Sequence, residues 1–461
     1  MLGELDEWRD GLSRVGIQLG NSGSPPDLVV APASHARDAL ASRADMLILE
    51  GRVSLADFRS AGYAARRFGP VPSLDQPRLL LPLDQPVPAR YAIRRWPGPT
   101  RRWTQVRNRA AEILVGRGAF PGRCPVIVAA RTPAPPFVVS AAARLGVPPD
   151  SEWFVSLGSH PLSRCAFHLF PPGQREPAFV LKFGRLPDSN YRFDREAAAY
   201  ERARHAGGVV LAHAPRQLGR VEVEGLSASL ETAGVGERLA TFLIAPGGRK
   251  RKLQTIEQVA AWLVDVASQT CSPTRPPREE LDYFAERVLP SWEPRGAPAD
   301  LVSRVAAVPA VFKHGDVYPE NIIVGPHGFT VVDWEDSEAD GFPLFDLASF
   351  LSEALARRDG AMSPDARERH FVSLFRGELP ASATLFAWTR AAIDASHVPA
   401  DAVGPVVTLF WLHLAYAARD FADRAQVLAN RPDAGPLLYE RWAALWLSDP
   451  ALGPTWDRWR M

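Results

Sequence analysis

Between residues 310 and 335 the order of residue types leaves the chain few ways to fold. The apolar Ala310-Val311-Phe312 leads into His314-Gly315-Asp316-Val317-Tyr318-Pro319-Glu320-Asn321; Ile322-Ile323-Val324 follows, Gly325-Pro326-His327-Gly328 turns, and Phe329-Thr330-Val331-Val332 returns to Asp333-Trp334-Glu335. Two β-branched runs flanking a Gly/Pro turn predict a hairpin. Its open end brings Asn321 and Asp333, twelve residues apart in sequence, next to each other, with Asp316 in the loop that leads in. The carboxamide of Asn321 and the carboxylate of Asp333 offer hard oxygen ligands. A small divalent cation such as Mg2+ takes such ligands and keeps water or phosphate oxygens for the remainder, so no all-protein cage is required.

This arrangement suits phosphoryl transfer, which asks for a positioned acceptor hydroxyl, cations bridging the phosphates and little covalent chemistry from the protein. In a kinase-like catalytic loop an Asp orients the acceptor hydroxyl, an Asn five residues later binds Mg2+, and an Asp after the next hairpin binds it again. Asp316, Asn321 and Asp333 stand at those positions.

On these residues, and on Gly341-Phe342-Pro343 and Asp346-Leu347-Ala348 downstream, the chain resembles the aminoglycoside phosphotransferase and choline kinase-like family. The resemblance implies an α+β, protein-kinase-like bilobal phosphotransferase over about residues 150–461. It also implies that Asp316 is the catalytic base, that Asn321 and Asp333 are Mg2+ ligands, that His314 braces the loop, and that Asp346 is a structural carboxylate. Glu335 either touches the metal or faces solvent.

A nucleotide-binding half is expected before the loop. Phe179-Val180-Leu181-Lys182-Phe183 is an apolar strand with one lysine, the arrangement that grips α and β phosphates. A lysine on such a strand calls for a carboxylate partner; Glu196 is the expected one and Glu201 the competitor. Residues 155–170 read as strand, loop, strand, with Ser159 and backbone amides as phosphate donors, although the Gly-x-Gly-x-x-Gly of protein kinases is absent. The stretch from Leu226 to Glu231 and Thr232 resembles the strand and hinge whose backbone holds the base of ATP or GTP.

Residues 1–136 lie outside this resemblance. Short apolar runs at 27–31, 46–49 and 78–81 alternate with helix-compatible segments at 35–41 and 54–61, which predicts a small α/β domain with a mostly parallel sheet. Residues 62–68 and 77–83 resemble the late half of a nucleotide-sugar or methyltransferase Rossmann-type domain. No glycine-rich turn follows its first strand, so a cofactor of its own is not expected. Proline-rich punctuation at 132–136 and 147–149 places the boundaries at 1–136 for this domain, 137–232 for the small lobe and 233–461 for a mostly helical large lobe.

The 461 residues carry a formal net charge of +1, which exerts no global pull on nucleic acid. Residues 90–109 hold seven arginines with Trp96 and Trp103 and no acidic residue; the favoured reading is a solvated face with snorkelling side chains, and the alternatives are a nucleic-acid contact or a patch that attracts an anionic substrate or lipid headgroup. Arg249-Lys250-Arg251-Lys252 reads as an exposed turn before a helix at 256–267. Cys124, Cys165 and Cys271 follow no metal spacing and suit a reducing compartment. The N-terminus lacks signal-peptide blocks, and the apolar stretch 402–418, which contains Gly404, Pro405 and His413, reads as a buried helix rather than a membrane span. A cytoplasmic small-molecule kinase acting on a hydroxyl acceptor is the expectation, and a nucleotide-binding scaffold whose leading domain carries recognition is the alternative.

Overall fold

The computed structural model describes residues 28–44, 46–71, 79–95, 110–115, 117, 125–130, 137–157, 164–184, 190–223, 225–429, 437–449 and 451–452. The chain divides into two compact units, the first comprising residues 1–193 and 215–235 and the second residues 194–214 and 236–461.

The first unit is built on one sheet of ten strands: β1 (Leu28–Pro32), β2 (Met46–Glu50), β3 (Ala64–Val71), β4 (Leu79–Pro82), β5 (Val126–Ala130), β6 (Glu152–Leu157), β7 (Cys165–Phe170), β8 (Phe179–Phe183), β9 (Gln217–Val223) and β10 (Leu226–Thr232), in the spatial order β1-β2-β5-β3-β4-β6-β7-β8-β10-β9. Only β1 and β2 run parallel; every other described pair in this sheet is antiparallel. The expected mostly parallel, Rossmann-like sheet is therefore corrected. Continuous apolar runs signal strands covered on both faces, and here antiparallel strands are covered that way. Ile48, Val126 and Val128 enter one core with Trp153 and Phe167, while their neighbours Leu47, Leu49, Ile127 and Ala129 enter another with Phe58 and Tyr63. Leu80 likewise joins the first core, and Leu79 and Leu81 pack with Phe154, Phe170 and the helix Pro86–Arg95. Double burial is read by period-2 alternation between two cores, and it leaves strand direction open.

Nor does the sheet break at the expected 136/137 boundary. β4 pairs with β6 through Leu79↔Ser156 and Leu80↔Val155, and Trp153 meets Phe68 of β3 and Phe167 of β7 at ring separations of 6.1 and 5.3 Å.

The second unit is mostly helical, with one large core. Its long helices are Arg249–Thr270, Phe345–Arg358, Pro364–Phe375, Pro380–Ala395, Val403–Ala429 and Leu438–Ser448. Two small sheets accompany them: β11 (Glu237–Arg238), β13 (Ile322–Gly325) and β14 (Gly328–Val331) in one, β12 (Val311–Lys313) and β15 (Glu338–Gly341) in the other. The basic run at 249–252 is the first turn of its helix rather than a turn before it, and Lys252 folds back so that its ammonium donates to the Ala245 carbonyl. Cations at a helix N-terminus oppose its dipole, which is why local signals placed the start later. Among the described residues no helix is long and apolar enough to cross a membrane.

Truncating Trp153 to Ala is expected to cost about 3–5 kcal/mol, as for large aromatic deletions in a core. Hydrogen exchange should then rise together in 64–71 and 165–170; a rise confined to 165–170 would show that the two parts of the sheet do not act as one.

Candidate active site

The hairpin forms in the expected register, Ile322↔Val331 through Gly325↔Gly328, and the Val332 N–H donates to the Asn321 carbonyl at 2.9 Å. Asn321 and Asp333 therefore flank its open end. β12 delivers the loop that starts at His314, and β15 pairs with β12.

The loop is held from below by Asp346, in the first turn of the helix Phe345–Arg358. One of its carboxylate oxygens accepts from the His314 N–H at 2.6 Å and the other from the Gly315 N–H at 2.9 Å. Burial pushes this carboxyl up to about 6, against the lowering effect of those two amides and of Lys313. Gly315 has φ +87°, and a Cβ there would lie 2.4 Å from the Asp336 carbonyl oxygen. Only glycine supplies both the left-handed backbone and that approach. His314 accepts from the Asp316 N–H at Nδ1, 3.2 Å, and sits edge-on to the buried Trp334 at 4.5 Å.

Asn321 Nδ2 donates to Asp316 twice, to its carboxylate at 2.6 Å and to its carbonyl at 3.1 Å. With its NH2 spent on Asp316, the oxygen is what Asn321 has to offer a cation. Asp333 adopts φ +64°, a left-handed conformation uncommon outside glycine but tolerated best by Asp and Asn. Burial pushes the Asp316 carboxyl up to about 8, helped by the charges of Asp336, Asp333 and Glu335 and opposed by the Asn321 hydrogen bond. Glu335 is buried, and Asp336 is paired with Arg195 at 2.7 Å. A carboxylate crowded by like charges is a place where a divalent cation relieves repulsion. The oxygen set of Asn321 and Asp333 fits Mg2+ held jointly with phosphate and water. Among the described residues no group of three or more His, Cys, Asp or Glu side chains is placed to hold a metal unaided.

In the first unit, Lys182 lies between Ala166 of β7 and Ser229 of β10. Its ammonium is 3.1 Å from Glu231 Oε1, both groups being buried. Glu231, expected to contact the base, thus turns its side chain to the lysine. Thr232 is engaged with Arg216, its N–H donating to the Arg216 carbonyl at 3.0 Å and its hydroxyl accepting from the Arg216 N–H at 2.9 Å. Glu196 is buried on the helix Tyr191–Ala206 of the second unit. Ser159, and most of the arginine-rich stretch at 90–109, lie outside the described residues.

The sequence reading missed Lys313, which immediately precedes His314. It is buried, ion-paired with Glu280 and 5.6 Å from the Phe345 ring centroid. Burial lowers its affinity for a proton, but Glu280, Asp346 and Glu338 outweigh that and raise it. Glu280 also accepts from the Phe342 N–H at 2.6 Å. The signal was present: a lone lysine ending an apolar strand, the pattern that drew attention to Lys182.

Residues 172–392 match the family model described as "Phosphotransferase enzyme family". Among curated proteins, homoserine kinase of Pseudomonas aeruginosa is 28% identical over 127 residues, 27% of this chain and 36% of that one. The chain thus spans about a third of the length of the curated relatives it matches. Among solved structures, an aminoglycoside-3'-phosphotransferase of type VIII covers 56% of this chain and 98% of its own at 16% identity and a TM-score of 0.33. A glucosamine kinase covers 65% and 85% at 14% identity and a TM-score of 0.32. At such scores the superpositions carry no weight. The class of protein that residues 172–392 resemble is that phosphotransferase enzyme family.

A folded carboxyl that keeps its proton to higher pH than the unfolded one makes stability fall as pH rises between the two values. For Asp316 in the cation-free protein that window runs from about 4, the ordinary aspartate value, to about 8. A 13C carboxyl titration should place the Asp316 midpoint near 8, and Asp333→Asn should lower it by removing a like charge. A wild-type midpoint in the ordinary aspartate range contradicts this account.

Proposed function

We propose that the protein transfers the γ-phosphate of a Mg2+-bound nucleoside triphosphate, ATP or GTP, to a hydroxyl of a small molecule such as a sugar, an aminoglycoside-like compound or an amino alcohol. The observation that carries the reading is the Asn321–Asp316 hydrogen bond at the open end of a hairpin whose returning strand leads to Asp333.

In this reading Asp316 receives the acceptor hydroxyl's proton, and Asn321 fixes its orientation through Nδ2 while presenting Oδ1 to the metal. Asp333 supplies the second protein oxygen. Bound Mg2+ supplies neutralisation of the phosphate oxygens and favours the ionised form of the crowded carboxylates. Lys182 takes the α and β phosphates, Glu231 holds that ammonium before nucleotide arrives, and Ser159, Glu196 and the backbone at Glu231 and Thr232 complete the nucleotide contacts. His314 and Asp346 keep the loop in shape. The match of residues 172–392 to the phosphotransferase enzyme family supports a small-molecule acceptor over a macromolecular one. Homoserine, the acceptor in the curated relative's name, carries both an amine and a hydroxyl and belongs in the first pool tested.

Label should pass from γ-labelled ATP or GTP to a compound in a pool of amino alcohols, sugars and aminoglycosides with wild type, and the labelled compound names the acceptor. Asp316→Ala should abolish transfer by about 10²–10⁴-fold, the range for loss of a general base, with Mg2+-nucleotide binding retained. Asp333→Ala should weaken that binding itself. Undiminished transfer by Asp316→Ala would remove the residue from its role, and Mg2+-dependent nucleotide binding without transfer to any acceptor would favour a scaffold.

A further inference from the structure

The helix Phe345–Arg358 carries a second buried carboxylate, Glu353, seven residues after Asp346. Seven residues are two helical turns, so the two side chains lie on one face about 10 Å apart along the axis. Asp346 holds the start of the loop through the His314 and Gly315 amides. Glu353 reaches the other end by two routes.

One route is a line of hydroxyls. Tyr318, two residues after Asp316, places its phenol beside that of Tyr439. Tyr439 in turn donates to Glu353 Oε1 at 2.9 Å. The other route is ionic: Arg357 bridges Glu353 to Glu320, the residue before Asn321. Arg367 adds a further donor to Glu353, which is only 1% exposed. A carboxylate removed from water is costly unless its lone pairs are met, and these are met by two guanidinium groups and a phenol. Tyr318 and Glu320 are themselves bound into the segment joining Asp316 to Asn321. The Tyr318 N–H donates to the Asp316 carbonyl at 3.0 Å and the Asn321 N–H to the Tyr318 carbonyl at 2.9 Å. Tyr439 belongs to the helix Leu438–Ser448, beyond the family match at 172–392.

We propose that Glu353 and Tyr439 are positioning residues for the loop: with Asp346 they make one helix face a gauge that sets the spacing of Asp316 and Asn321, and they make the C-terminal helix a working part of the site. This rests on the reading of Asp316 and Asn321 as the groups that meet acceptor and metal. Loss of the Tyr439 hydroxyl removes a donor from Glu353 and the polar neighbour of Tyr318, which lets the segment between them shift. Positional error of that kind acts on the chemical step more than on nucleotide binding.

The test uses the full chain with Tyr439→Phe, which keeps the ring and removes the hydroxyl, and Glu353→Gln as a second variant. ATP turnover is read with Mg2+ and water as acceptor. For Tyr439→Phe, kcat is expected to fall about tenfold or more while the ATP KM changes by less than about twofold. Amide exchange at 315–321 should rise, with the helices Arg249–Thr270 and Val403–Ala429 unchanged. Wild-type exchange at 315–321 overturns the proposal whatever the activity. So does a general rise in exchange across the unit, which would mark a merely structural role. Absence of Mg2+-dependent turnover in wild type would count against the proposed function alone, because loop exchange still decides the positioning.

Discussion

Two backbone N–H groups, those of His314 and Gly315, end on the one carboxylate of Asp346, and much of the second unit is arranged to make that possible. The strand β12 must stop at Lys313, Gly315 must take a backbone that side chains avoid and pass within contact of the Asp336 carbonyl, and the helix Phe345–Arg358 must begin under the loop. A bidentate acceptor fixes two successive peptide planes, and so sets the direction in which Asp316 leaves the loop. Backbone amides buried without partners are costly, which gives this clamp structural as well as chemical weight.

The cost of the arrangement is electrostatic. Asp316, Asp333, Glu335 and Asp336 crowd one end of a hairpin, and burial, reinforced by that crowding, raises the proton affinity of Asp316. The protein offsets part of the crowding with Arg195 on Asp336 and leaves the remainder as a site that a divalent cation would stabilise. Elsewhere lysines on apolar strands are matched by carboxylates, Lys182 by the buried Glu231 and Lys313 by the half-buried Glu280. Buried pairs of this kind add little net stability; they hold a charge in a stated place.

What local pattern could show, it showed. Gly/Pro punctuation and β-branched runs placed the hairpin from Ile322 to Val331, and the His-Gly-Asp, Asn and Asp-Trp spacing selected the residues that the fold brings together. One reading that the fold overturned was strand direction in the leading region. Leu47 to Leu49 and Ile127 to Ala129 alternate between two cores, and an apolar run looks the same whether its neighbour runs parallel or antiparallel. Glu353 and Tyr439 were invisible for a different reason: a Glu on a helix and a Tyr on another, 86 residues apart, carry no local signal of their contact.

The sequence by itself determined the hairpin, the loop between Asp316 and Asn321, and the chemical character of the groups at its mouth, because turn propensity, strand periodicity and side-chain type act over a few residues. Tertiary structure decided which carboxylates lose their solvation, which strands pair, and which distant side chains hold the loop. Desolvation, strand order and hydrogen bonds across the core depend on what packs from elsewhere in the chain. The raised proton affinity of Asp316, the antiparallel sheet and the Tyr439–Glu353 hydrogen bond all arise from that packing.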